Sequence, residues 1–233
     1  MTPSLDWHPA TRPPADVLDG RFVRLEPLDP ARHGDDLWSA LQGPSSDPAL
    51  WAYLPYGPFA DRDLFDHWLR GNATSRDPLF YAVVALDTGQ VQGQLSLMSI
   101  VPEQGRIEIG HVAFGAAMQR TPKGTEAVYL LARQAFALGN RRLEWKCNAE
   151  NDRSQRAAQR FGFTFEGVFR QHMVVKGQNR DTAWYSVIDR EWPALAQAFE
   201  AWLSEENQLP DGQRNSLEDC RAARVQGLAG HAP

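Results

Sequence analysis

Gln119 to Ala127 reads Gln-Arg-Thr-Pro-Lys-Gly-Thr-Glu-Ala and lies between a strand-like run ending near Phe114 and a strongly helical run beginning near Thr125. A loop at such a junction aims successive backbone N–H groups, and the positive end of a helix dipole, at whatever sits in front of it. That arrangement suits a phosphate or pyrophosphate. Any strand-to-helix turn has free amides, so the weight of this stretch comes from its flanks. Arg106 to Phe114 alternates apolar and polar residues as a strand does, and Thr125 to Leu138 carries Val128, Leu131, Ala135 and Leu138 at helical spacing. Arg142 to Asn148 reads as a short strand, and Asp152 to Phe161 as a short helix ended by Gly162. The centre of the chain is therefore a β-α-β-α unit.

Hairpin-like elements surround this unit. Gly20 to Leu28 alternates as a strand, and Pro30 precedes a short helix over Ala31 to Gln42. Asp61 to Gly71 reads as a second helix with Leu64, Trp68 and Leu69 on its packing face. Phe80 to Leu86 and Val91 to Ile100 are strands around an Asp87-Thr88-Gly89 turn. Thr164 to Val175 and Asn179 to Ile188 are strands joined at Lys176-Gly177-Gln178, and Glu191 to Leu203 is a final helix packing through Leu195, Phe199 and Trp202. Residues 1–19 form an irregular arm, 20–203 the domain, and 204–233 a polar tail in which Leu, Val and Phe become sparse.

Composition narrows the function. A net charge of −5 argues against an electrostatic nucleic-acid binder. Two cysteines, Cys147 and Cys220, lack metal-ligand spacing and suit a reducing compartment. No metal is expected. The N-terminus has no apolar core of a signal peptide, and no run approaches the roughly 18 apolar residues of a membrane span. A cytoplasmic protein without membrane or nucleic-acid partners is expected. Exposed sheet edges and the aromatic final helix leave a homodimer open.

The ordered motifs resemble those of the GNAT acetyltransferases, and within them the RimJ and RimL branch of ribosomal-protein N-terminal acetyltransferases. Arg106-Ile-Glu-Ile-Gly-His111 resembles the branch's acidic-Ile-Gly strand. Gln119 to Gly124 stands where the family's Q/R-x-x-G-x-G/A pyrophosphate loop belongs. Leu143 to Ser154 resembles the next strand with its Asn-x-x-Ser motif, and Phe161-Gly-Phe-Thr-Phe-Glu-Gly167 resembles Gly-Phe-x-x-Glu-Gly. The resemblance spans Arg21 to Ile188. It implies a mixed, mostly antiparallel sheet, splayed near its middle and covered by helices on both faces. It also implies transfer of an acetyl group from acetyl-CoA to a primary amine, either a protein N-terminus or a small amine or amino-acid-like molecule. Two departures stand out. Pro122 replaces the first loop glycine and removes one N–H from the phosphate cradle. Met173 occupies the position of the RimL general base.

The same resemblance assigns cofactor contacts to the backbone of Val112, Ala113 and Phe114, to Gln119, Arg120, Thr121, Lys123, Gly124 and Thr125, and to Asn151 and Ser154. Glu108, on a central strand between two isoleucines, is the general-base candidate; the alternative is a carboxylate paired with an arginine. Ser154 is the candidate beside the cofactor sulfur, or else a first-turn helix residue behind the better cap, Asn151. His111 is a second base candidate, though lone strand histidines are more often structural; His172 has similarly weak standing. Cys147 reads as buried and inert. The aromatic segment Trp51 to Phe59 offers Trp51, Tyr53 and Tyr56 as an acceptor wall, or as packing beneath a loop. Arg170, Lys176, Arg180 and Asp181 in the last hairpin are either acceptor contacts or a solvated face, and read first as the latter.

Two other classes compete with the enzyme. Pro122 and Met173 favour a non-catalytic acyl-CoA-binding or sensing module, whereas Glu108 and Ser154 favour catalysis. A structural protein that keeps the fold without the ligand is the second rival. A P-loop nucleotide enzyme fits least, since no Gly-Lys-Ser/Thr follows the glycine.

Overall fold

A computed structural model describes residues 6–209 and 212–229 of the chain. Its short first strand β1 (Leu18–Asp19) pairs with β2 (Val23–Pro27), and α1 (Pro30–Gln42) and α2 (Arg62–Thr74) follow. Next come β3 (Leu79–Ala85), β4 (Val91–Val101), β5 (Arg106–Phe114), α3 (Pro122–Ala137), β6 (Arg142–Asn148) and α4 (Asp152–Arg160). The hairpin of β7 (Thr164–Val175) and β8 (Gln178–Ile188) leads into α5 (Trp192–Leu203).

The sheet has eight strands in the order β1-β2-β3-β4-β5-β6-β8-β7, and β5–β6 is its one parallel pair among the described residues. Central strands are buried on both faces, which explains their near-continuous apolar runs. In β3, Tyr81 and Val83 join the core beneath α3 and α5, while Phe80 and Ala82 join a second cluster with Leu37 and Leu41 of α1 and Phe65 and Leu69 of α2. Helices thus cover both faces. Phe65 turns inward and Leu64 is half-exposed, which corrects the packing face expected for α2 by one residue. The Asp61 carboxylate sets that phase by accepting from the Leu64 amide at 2.9 Å.

Helix α3 is tied to the sheet by a buried carboxylate. Glu126 accepts from the amides of Arg21, Phe22 and Val23 at 2.7, 2.6 and 2.8 Å. Removing it leaves amides unpaired, at about 1–3 kcal/mol for each one buried.

The polar tail is docked along part of its length. A small hairpin of β9 (Gln208–Leu209) and β10 (Gly212–Gln213) leads to α6 (Leu217–Ala229), which packs on α5 and buries Leu217 and Cys220. Arg221 donates to the Gln159 carbonyl at the end of α4 at 2.8 Å. Residues 1–5 of the arm, and 210–211 and 230–233 of the tail, lie outside the described residues.

Candidate active site

Two backbone irregularities open the sheet at its centre. Strands β5 and β6 pair as Arg106–Arg142, Ile107–Leu143 and Glu108–Glu144, after which no pair joins them. On the other edge of β5 the register slips: Ser96 faces Gly110 and Gln94 faces Ala113, so His111 and Val112 together oppose one residue of β4. His111 has a φ of 51° there. Such a bulge bends its strand and frees backbone groups from the ladder. The result is a V-shaped gap with a cavity on each side of its apex.

The larger cavity, about 1010 Å³, lies between the start of α3 and helix α4. Val112, Phe114, Arg120, Thr121, Gly124 and Thr125 line one side, and Asn151, Ser154, Arg156 and Arg160 the other. Helix α3 starts at Pro122 rather than at Thr125 as the sequence suggested. Proline suits the first helical position because that N–H has no intrahelical partner in any case. Pro122 therefore costs the cradle one donor without distorting it. Thr121 is the capping residue, yet its hydroxyl donates to the Met118 carbonyl at 2.9 Å and makes no cap bond. The first-turn amides are left without a side-chain acceptor, which leaves the helix N-terminus able to meet an anion.

The walls are basic although the chain is acidic. Arg160 donates to Thr125 Oγ1 at 2.9 Å and lies 5.0 Å from the centre of the Trp202 ring. Arg120, Arg156 and Arg160 have no carboxylate partner among the described residues. Lys123 and Gln119 are not among the lining residues. Lys123 turns away and pairs with Asp87 at 2.9 Å, and Gln119 is exposed in the preceding turn. The Ala113 side chain is buried in the second cluster, so only its backbone is available.

The smaller cavity, about 480 Å³, lies beneath residues 50–55. Glu108 is its one carboxylate among the described lining residues. Glu108 Oε2 accepts from Ser99 Oγ at 3.0 Å and from Lys146 Nζ at 2.9 Å. A second bulge, where Ser99 takes a φ of 50° and the β4–β5 register slips again, brings that hydroxyl onto the carboxylate. Lys146 also pairs with Glu144 at 2.8 Å and lies 4.0 Å from the centre of the Trp184 ring. Burial favours the neutral form of Glu144, but Lys146 and Arg142 outweigh it and hold the carboxyl below its usual range. Gly110 packs against Met98 in the wall, and a Cβ there would come within 2.3 Å of the Met98 sulfur.

A strap roofs this cavity. Tyr53 donates from its hydroxyl to the Glu150 carbonyl at 3.0 Å, and Asp47 pairs with Arg153 at 2.9 Å. From the β7–β8 hairpin, Lys176 donates to the carbonyls of Trp51 and Gly57 at 2.8 and 2.6 Å. Gly57 has a φ of 60°, and a Cβ there would meet the Trp51 ring at 2.4 Å, so glycine is required at this turn. Of the three rings expected to wall the acceptor, only Tyr53 lines the cavity. Trp51 is 1% exposed and packs edge-on against Tyr56, Phe59 and Trp68. Tyr56 bonds His111 Nδ1 at 2.8 Å.

Burial pushes the Tyr56 phenol up and the His111 imidazole down to about 4, so at neutral pH both groups are uncharged and share one hydrogen bond. Asn151 caps α4, its Oδ1 accepting from the Ser154 amide at 3.1 Å, and the Ser154 hydroxyl accepts from Trp145 Nε1 at 3.0 Å. Ser154 sits in the first turn of the helix and also lines both cavities. Burial raises the Cys147 thiol against a smaller opposing effect of the Ser154 hydrogen bond. Met173 lines the smaller cavity with an apolar side chain. Sequence reasoning missed Ser99, Lys146, Trp145, Arg156 and Arg160. Of these only Lys146 carried a signal, by alternating with Glu144 on one face of β6.

Residues 23–164, more than half of the chain, match the acetyltransferase (GNAT) domain model. The chain belongs to the GNAT acetyltransferase family. A crystal structure of a GCN5-related N-acetyltransferase from Brucella melitensis is 48% identical, covers 93% of this chain and 99% of its own, and superposes with a TM-score of 0.89. An uncharacterized N-acetyltransferase, p20, from Bacillus licheniformis is 30% identical over 63% of this chain and 84% of its own. An acetyl transferase from Salmonella typhimurium, described as modifying the N-terminal serine of a ribosomal subunit protein, is 19% identical over 74% of this chain and 99% of its own, with a TM-score of 0.62. At that identity it supports the GNAT fold alone, and the RimJ and RimL branch is not established. Among the described residues no helix is long and apolar enough to cross a membrane.

Proposed function

We propose that this GNAT protein moves the acetyl group of acetyl-CoA to the primary amine of an acceptor. The observation that carries the reading is the pair of cavities meeting at the sheet splay. They share Leu50, Tyr53, Val112, Trp145, Asn151 and Ser154 in their walls. The larger, basic cavity suits the phosphates of the cosubstrate, with the α3 N-terminus, Arg120, Arg156 and Arg160 as their partners. The smaller one brings a buried carboxylate to the acceptor side.

Acetyl-CoA supplies a thioester carbonyl. The amine nitrogen attacks it, the C–N bond forms, the C–S bond breaks, and the departing thiolate takes up a proton. The chain's residues serve three needs of that exchange. In the stretch from His111 to Phe114 the strand has lost β6 as a partner, and its amides on that edge would donate to the carbonyl oxygen as charge develops. Glu108, directly or through water, accepts the proton that the amine must lose. The Ser154 hydroxyl accepts from Trp145 and directs its own proton toward Cys147, from which rotation about the side chain would bring it to the cosubstrate sulfur. His111, whose Nδ1 is taken by Tyr56, acts as a neutral support for the strap. RimL resemblance suggests a protein N-terminus as acceptor, while the roofed cavity suits a small amine.

Calorimetric titration with acetyl-CoA, against free CoA, ADP and ATP, tests the reading first. Micromolar, CoA-selective affinity is expected. A well-folded protein that binds none of them would overturn it in favour of an interaction scaffold. CoA binding without thiol release on any amine or N-terminal peptide would favour the non-catalytic sensing module.

A further inference from the structure

We infer that the acceptor is a small amine bearing a carboxylate, and that Arg180 receives that carboxylate. The inference deepens the acetyl-transfer reading and rests on it. Arg180, half-buried on β8, lines the smaller cavity and not the larger one. Its Nε donates to Thr182 Oγ1 at 3.2 Å, and no carboxylate lies within ion-pair distance of it among the described residues. Thr182 is buried, and its hydroxyl also contacts His172 Nδ1 at 3.0 Å. The inner edge of the guanidinium is therefore held by a fixed hydroxyl, while its outer nitrogens have no partner among the described residues.

The other cations of this region are already satisfied. Lys146 sits between Glu108 and Glu144, and Lys176 is spent on two strap carbonyls. Asp181, the acid adjacent in sequence, accepts from the Gln171 amide at 2.7 Å and from Asn179 at 2.9 Å and is not in the cavity wall. A half-buried guanidinium with a free planar edge matches a carboxylate in a two-point geometry that a lone ammonium cannot copy.

The register makes one molecule able to meet both ends. Thr182 lies opposite Asn148 and Trp184 opposite Lys146, and Glu144 pairs with Glu108 on the far side of β6. The same face of the sheet therefore runs from the Glu108 carboxylate to the Arg180 guanidinium. One end attracts an amine and the other an acid. The volume of about 480 Å³ under a strap latched at three points is that of a metabolite site. A polypeptide N-terminus would enter only with the strap opened.

The test uses the full chain and follows thiol release from acetyl-CoA. Glycine, β-alanine, γ-aminobutyrate and the protein amino acids are each compared with the matching primary carboxamide, alongside N-terminal peptides. The α-amino carboxamides have the less basic amine, more often neutral at pH 7, so intrinsic reactivity favours them and a preference for the acid reports binding. At least one acid is expected to exceed its carboxamide by about tenfold or more in kcat/KM, the size of a lost charge-assisted contact. R180Q should erase that preference by raising KM for the acid while kcat and acetyl-CoA affinity hold, and R180K should restore part of it. Acetyl-CoA affinity, measured separately, isolates failure of the acetyl-transfer reading itself. If acetyl-CoA binds but carboxamides or peptides are used as well as acids, if no acid is accepted, or if R180Q leaves the preference intact, the carboxylate inference is overturned.

Discussion

The two cavities share an apex and differ in how they are built. The larger cavity, the proposed cosubstrate side, is made largely from backbone: the bulged edge of β5, the bare start of α3 and the capped start of α4, with arginines added at the rim. The acceptor side is made from side chains contributed by distant strands and roofed by the strap. Backbone donors recognise any phosphate that fits and tolerate changes of sequence around them. Side-chain walls tie recognition to individual residues. One face of the splay can therefore serve the whole GNAT family while the other is remade for each acceptor.

The largest expected effect tests the division of labour directly. Glu108→Gln keeps the shape and the contact with Ser99 but removes the proton acceptor, and should cut kcat about a hundredfold to a thousandfold. Acetyl-CoA affinity should move less than about twofold, since Glu108 is outside the larger cavity. Steady-state rates and calorimetry on the same preparation check both halves. Equal losses in turnover and in cosubstrate affinity would break the comparison.

A second test concerns the support beneath the strap. Burial depresses His111 to about 4, against an unfolded value near 6.5, so between these limits the unfolded chain binds more protons than the folded one. The associated stability is fully present above about pH 6.5 and is lost as pH falls toward 4, up to about 3 kcal/mol in total. Urea unfolding across that window should show the slope in the native chain and a flatter curve in His111→Phe. The pH–rate profile should lack a histidine inflection near neutrality. An inflection near pH 6.5 that disappears in His111→Phe would restore His111 as a base.

On the cosubstrate side, Arg160→Ala should weaken acetyl-CoA binding about tenfold, as expected for one charge-assisted contact, and leave the KM of the acceptor unchanged. The deficit should shrink in high salt, which screens a rim charge. Loss of acceptor affinity instead would mean that the two cavities are coupled through α4.

The same contrast governs what the sequence revealed. The backbone-built side was legible because its signals are local: alternation in β5 and β6, the Asn151 cap, and the order of motifs. Its most misplaced boundary, the start of α3, came from reading Pro122 as a loop residue when it is the first residue of the helix. Side-chain placement was legible only in part on either side: Glu108 and Tyr53 stand out in the sequence and line the smaller cavity, but what surrounds them does not. Ser99 reaches Glu108 only through a register slip, Arg160 enters the cleft by packing over Trp202, and Lys123 leaves it because Asp87 lies nearby in space. In the aromatic strap, composition marked Trp51, Tyr53 and Tyr56 alike. A turn at Gly57 and the packing of Trp68 decided that Trp51 would be core and Tyr53 wall. The last hairpin, read first as a solvated face with acceptor contact as the alternative, puts Arg180 in the wall of the smaller cavity and Lys176 on the strap.

The smallest expected effect is the one most particular to the strap. Lys176 crosses from the β7–β8 hairpin to hold two strap carbonyls and, among the described residues, lines neither cavity. Lys176→Met keeps the aliphatic stem and removes the donors. The loop then keeps its ring packing and its Tyr53 and Asp47 links, so it loosens without unfolding. The two lost contacts, one to a part-buried carbonyl and one to an exposed carbonyl, are each worth about 1 kcal/mol. The KM of a small acceptor should therefore rise only about threefold, with kcat and acetyl-CoA affinity held. A peptide acceptor, which needs the roof raised, should instead improve. Faster turnover of N-terminal peptides in Lys176→Met would show that the latch, rather than the wall, is what excludes protein acceptors. Equal losses for both acceptor types would mean that the strap shapes the site as a fixed wall.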